Sequence, residues 1–113
     1  MSWLPFGKRR QAAPTGPNVR DAKRETLEHL AKFASTRVGV EAYIEPPNNQ
    51  IQTTLLLVAT TGEWTRRKVP DAATARSIAQ QMGVPVYDVN FTGYPQRMRD
   101  WNRAQREAQK RQR

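Results

Sequence analysis

Cysteine is absent from the chain and histidine occurs once in 113 residues. Without thiols there is no disulfide, no thiolate metal site and no thiol nucleophile. One imidazole without sulfur partners cannot build the usual His/Cys metal clusters, so no metal is expected. A cysteine-free chain fits a reducing, cytoplasmic compartment. Long apolar runs are missing too: none approaches the roughly 20 residues that cross a bilayer. The opening MSWLPFGKRR places a short apolar stretch before its basic residues and contains Pro5, so it is not expected to act as a signal peptide. None of the strings G-x-G-x-x-G, G-x-x-x-x-G-K-[ST] or G-x-S-x-G occurs, nor any internal repeat.

Acidic residues are scarce. Ten Asp and Glu stand against nineteen Lys and Arg, a formal charge of +9. The excess sits at the ends. Residues 1–17 hold Lys8, Arg9 and Arg10 with no acid, and residues 94–113 hold seven basic and two acidic residues. The 76 residues between them are left with only +1. A near-neutral body with cationic ends favours an anionic partner.

The length suits one domain. Residues 1–17, ending in QAAPTGP, read as a flexible basic tail. A single domain is expected over 18–101, and a basic helical extension over 102–113. Asn18 is the expected cap of a first helix whose Leu27, Leu30, Ala31 and Ala34 recur at helical spacing. In VGVEAYIE, Val38, Val40, Ala42 and Ile44 alternate with Gly39, Glu41, Tyr43 and Glu45, a half-buried strand. IQTTLLLVA is apolar on both faces at its centre, which predicts a middle strand. After a turn through Gly62, EWTRRKV runs back, with Trp64, Arg66 and Lys68 on one face and Thr65, Arg67 and Val69 on the other. A second helix follows, capped by Asp71 and stopped by Gly83. VPVYDV predicts a fourth strand, NFTGYP a loop, and Pro95 the first turn of a third helix. The order α-β-β-β-α-β-α predicts an α+β two-layer sandwich, a mainly antiparallel sheet with helices on one face.

Catalytic signals are poor and no catalytic residue or cofactor is assigned. Glu25 and His29 read as a solvated helix pair. Glu41 and Glu45 share a strand face, but nothing flanks them as an acid–base pair, and they read as a wet sheet face. The stronger constellation is basic plus aromatic. Arg66, Arg67 and Lys68 lie beside Trp64; Arg97, Arg99, Arg103 and Arg106 lie beside Tyr94 and Trp101. Arginine matches phosphate bidentately, and aromatic faces accept bases or guanidinium planes. The strand triplet also has a plain structural reading, charge that protects a sheet edge. The two tryptophans also suit core packing. Met98 and Trp101, three apart, should root the last helix on the body near Tyr94 and Phe91. Beyond Asn102 too little apolar surface remains to hold it.

These readings predict a small non-enzymatic RNA- or ribosome-associated protein binding phosphate backbone. A protein-interaction adaptor is the alternative, docking through the last helix or through Trp3, Leu4 and Phe6. That same N-terminal stretch, followed by its basic residues, could make weak contact with an anionic membrane surface.

The strings GEWTRR, GVPVYDV and GYPQRMRDW, within roughly residues 37–101, resemble a family of small basic actinobacterial proteins of uncharacterised function. Members are sometimes loosely labelled oxidoreductases, so the resemblance implies a small oxidoreductase-like enzyme as a further alternative. It supplies no catalytic residues to carry over. The helix–three strands–helix order also resembles double-stranded RNA-binding domains in topology. The second helix here opens with Val69, Pro70 and Asp71 instead of lysines, and Asp71 stands where a phosphate would need a cation.

Overall fold

The computed structural model describes residues 22–112. Helix α1 (Arg24–Thr36) leads into strands β1 (Glu41–Glu45), β2 (Thr54–Val58) and β3 (Trp64–Lys68). Helix α2 (Ala72–Met82), strand β4 (Val86–Asp88), the short helix α3 (Val89–Thr92) and the long helix α4 (Gln96–Arg111) complete the chain. The sheet order is β3-β2-β1-β4. The first three strands pair antiparallel, while β4 joins β1 in parallel. This is the expected α+β fold with a mainly antiparallel sheet, and its fourth strand pairs with the first.

Local chemistry accounts for the element ends. The Asp71 carboxylate accepts a hydrogen bond from the Thr74 N–H at 2.7 Å and so caps α2. Gly83 ends α2 at φ 74°, ψ 25°, a left-handed backbone that costs glycine little. Helix α1 starts at Arg24 with no side-chain cap; the expected cap, Asn18, lies outside the described residues. The NFTGYP loop is partly helical: Asp88 accepts from Asn90 N–H at 2.8 Å and starts the single turn of α3.

Two packing clusters lie on opposite faces of the sheet. Leu27, Leu30, Phe33 and Ala34 of α1 and Ala75, Ile78, Ala79 and Met82 of α2 pack on Ala42, Ile44, Leu55 and Leu57. Burial of each large side chain contributes about 1.5–3 kcal/mol. On the other face Tyr43, Leu56 and Val58 meet Met98 of α4, with Trp64 against them. The one-face arrangement expected for the helices therefore describes α1 and α2, whereas α4 covers the second face. The physical reason is β2, which is buried along its whole length and presents leucine or valine to both sides. Val38, expected inside, is 81% exposed, because the strand begins only at Glu41.

Candidate nucleic-acid interface

Alternation along the strands puts Glu41, Tyr43 and Glu45 of β1 on the same face as Trp64, Arg66 and Lys68 of β3. Helix α4 lands on this face. Glu45 is only 8% exposed and accepts four hydrogen bonds. Two come from the Arg66 fork (Nε 2.9 Å, Nη2 2.7 Å), one from the Thr54 hydroxyl (2.6 Å) and one from the Tyr94 hydroxyl (2.6 Å). Burial alone would raise the Glu45 pKa. The bonds from Arg66, Thr54 and Tyr94 outweigh it and hold the carboxyl below its usual range. Tyr94 is pushed up by its own burial and by Glu45.

A second set repeats the pattern. Arg97 Nη2 donates to Glu41 at 2.7 Å, its Nε donates to the Ala59 carbonyl at 2.9 Å, and the Tyr43 hydroxyl donates to Glu41 at 2.9 Å. The Arg97 bond, opposed by burial and helped by Tyr43, lowers the Glu41 pKa. Glu41 and Glu45 therefore do not form a wet face. They are the anchors by which α4 and its leading loop grip the sheet. Two carboxylates on one strand face, in a chain so rich in arginine, were the sequence signal for this.

The two strings GEWTRR and GYPQRMRDW are the two sides of one contact. The Trp64 indole N–H donates to Asn102 Oδ1 at 2.7 Å, and the Arg66 guanidinium stacks 4.9 Å over the Trp64 ring. Gly62 is buried at φ 94°, and a Cβ there would run into the Arg97 carbonyl and lie 2.9 Å from Trp101 Cβ. Only a glycine lets α4 approach the turn so closely.

The expected phosphate-binding residues thus divide. Arg66, Tyr94 and Arg97 are engaged by anchoring carboxylates, and Arg66 and Arg97 are half-buried. Arg103 pairs with Asp100, both sides more than half exposed, an interaction worth little in water. Arg67, Lys68, Arg99 and Arg106 are exposed and form no ion pair among the described residues. Phe91, expected near the root of the last helix, is 88% exposed on α3. Trp3, Leu4 and Phe6 lie outside the described residues.

Helix α4 runs unbroken to Arg111, beyond the point where its apolar anchors stop. Met98 is its one buried residue. Arg99, Arg103, Arg106 and Lys110 follow one another at steps of four, three and four, so they align along one face for about 16 Å. That stripe is turned roughly 80–140° from Met98, and its four side chains are exposed. The α2 N-terminus is already occupied by the Asp71 carboxylate, which removes it as a phosphate site.

Among the described residues no group of His, Asp and Glu is placed to hold a metal ion, and no helix is long and apolar enough to cross a membrane. Comparison with protein-family models, with curated proteins and with solved structures gave no match.

Proposed function

We propose that this is a small non-enzymatic RNA- or ribosome-associated protein that binds phosphate backbone through its last helix. The observation that carries this reading is the exposed stripe of Arg99, Arg103, Arg106 and Lys110 on a helix whose first turns are fixed to the body at Arg97, Met98 and Asn102. Guanidinium groups spaced along one helix face match phosphate oxygens bidentately. Arg67 and Lys68 on β3 add two further exposed cations. Arg66 and Arg97 contribute by positioning α4, since their charges are already met by Glu45 and Glu41.

The test is the salt dependence of RNA affinity in a fluorescence polarisation assay. With about six phosphates neutralised, log affinity should fall against log salt with a slope near −4 to −5. A slope near zero rejects the reading.

The protein-docking adaptor, acting through the last helix or through Trp3, Leu4 and Phe6, is a second reading, favoured by the near-complete exposure of Phe91 on α3, just ahead of the last helix. Deleting residues 1–13 separates the two. An adaptor that docks through Trp3, Leu4 and Phe6 loses its partner, whereas an RNA binder that uses α4 keeps most of its affinity.

A further inference from the structure

A cleft of about 880 Å³ opens between α1 and β3, away from the outer stripe of α4. This volume lies within the range of small-ligand sites, about 300–1,000 Å³. Its lining includes Lys23, Arg67 and Lys68, none of them ion-paired among the described residues, and one carboxylate, Glu25. Arg66 also lines it, but Glu45 meets that charge. The surplus in the cleft is therefore positive by about two charges, which matches a dianion.

Arg67 is the unusual member. Exposed arginines are normally free to sample many rotamers. This one is held by the Arg66 carbonyl at 2.8 Å, by His29 Nδ1 at 3.3 Å and, more weakly, by the Thr65 hydroxyl at 3.5 Å. No holder is a carboxylate, so the guanidinium is held in place while its charge is met by no carboxylate among the described residues. Arginine has no acceptor, so His29 Nδ1 must be the unprotonated nitrogen. Its Nε2–H then donates to Thr65 Oγ1 at 2.7 Å. A preordered cation beside a neutral imidazole is poised for an incoming anion.

We propose that this cleft binds a phosphate monoester, carried either by a free nucleotide or by the 5′ end of an RNA strand. The proposal rests on the reading of the protein as a phosphate binder but places a second site on a different part of the surface. Arg67 would supply the oriented fork, with Lys23 and Lys68 as flanking point charges. His29 would sense the occupant. Burial, then Arg67, Arg37 and Lys32, hold its pKa below the ordinary value. Glu25 lies one turn back on α1, and Glu63, paired with Arg37, lines the adjoining hollow. A dianion beside Arg67 opposes the lowering by that cation, so the imidazole titrates at higher pH when the cleft is filled.

The chain has one histidine, so the His29 ring protons give an unambiguous NMR signal. The intact protein would be titrated near neutral pH with inorganic phosphate, with adenosine monophosphate, and with a short RNA bearing either a 5′-phosphate or a 5′-hydroxyl. Sodium chloride at matched ionic strength is the reference. Saturable displacement of the His29 signal and an upward shift of its titration midpoint are expected with phosphate, with the mononucleotide and with the 5′-phosphorylated strand. Equal saturation by the free mononucleotide and the strand assigns the site to nucleotides; much tighter binding of the strand assigns it to RNA ends. Arg67→Gln should weaken the response about ten-fold, the size of one charge-assisted hydrogen bond. Replacing Arg99, Arg103 and Arg106 together by Gln should leave the response intact while lowering affinity for RNA backbone. Displacement no greater than that caused by sodium chloride overturns the cleft proposal, and does so even if RNA affinity remains. Absence of RNA affinity in the unsubstituted protein, with a preserved His29 response, would instead sink the reading of α4.

Discussion

The Tyr94 hydroxyl donates a 2.6 Å hydrogen bond to Glu45, forty-nine residues earlier in the chain. The bond ties the loop that leads into α4 to the first strand of the sheet. Glu45 is buried and holds Arg66 and Thr54 as well, so its charge is the centre of the arrangement. Glu45→Gln should lower unfolding free energy by about 2 kcal/mol, and Tyr94→Phe by about 1 kcal/mol, as expected for hydrogen bonds to a charged group that keep some access to water. Urea unfolding followed by circular dichroism measures both. A double variant that costs less than the sum would show that the two side chains act through one network.

Two glycines with positive φ make a controlled pair. Gly83 has open space around the position of a Cβ, so Gly83→Ala meets only backbone strain, about 1 kcal/mol. Gly62→Ala adds a collision with the Arg97 backbone and with Trp101, and should cost about 2–4 kcal/mol. The difference should also show in the Trp101 indole N–H resonance, which should move in the Gly62 variant and stay in place in the Gly83 variant.

Acid should destabilise the protein through two kinds of group. Glu41 and Glu45 titrate lower when folded than their ordinary 4.5. The unfolded chain therefore binds their protons first, and their contribution, complete above that value, is lost as pH falls through the folded values. His29 is also depressed, from 6.5, so the unfolded chain takes up its proton at a pH where the folded chain does not. Stability should begin to fall below about 6.5 and fall further in the acid range. Denaturation midpoints measured across pH check the shape, and His29→Gln should remove the upper part of the fall alone.

The arginines should sort into two groups by behaviour. Arg66→Gln and Arg97→Gln each break an ion pair with an anchoring carboxylate and should cost about 2 kcal/mol in stability. The triple variant of Arg99, Arg103 and Arg106 should leave stability within about 0.5 kcal/mol. In an RNA polarisation assay it should reduce the magnitude of the salt slope by about 2–3, following the number of phosphate contacts removed. Equal loss of affinity from Arg66→Gln at unchanged stability would contradict this division.

Sequence periodicity located most elements because hydrophobic spacing and local punctuation agree here. Asp71 and Gly83 bracket α2, and the doubly apolar Leu55–Val58 run marks the central strand. The parallel partner of β4 was not legible, since Val86–Asp88 carries no residue whose chemistry distinguishes one neighbour from another. The roles of Glu41 and Glu45 were hidden for a different reason. Strand alternation shows which face a carboxylate takes, but not that a helix fifty residues later will cover that face. The aromatic and basic residues were read as one group, and spacing alone could not separate Arg66 and Arg97, which anchor, from Arg99 and Arg106, which face water.

Strand β2 has a hazard built into it. Leu55 and Leu57 serve one core, Leu56 and Val58 the other, so sliding the strand by one residue would exchange one oily set for another with little penalty from polarity. The ends must therefore keep the place. Thr54 is bonded to Glu45 at one end, and Gly62, just past the other, fits under α4 only when the hairpin is aligned. A helix whose outer side faces water thus serves, on its inner side, as the gauge that fixes how the sheet is stitched.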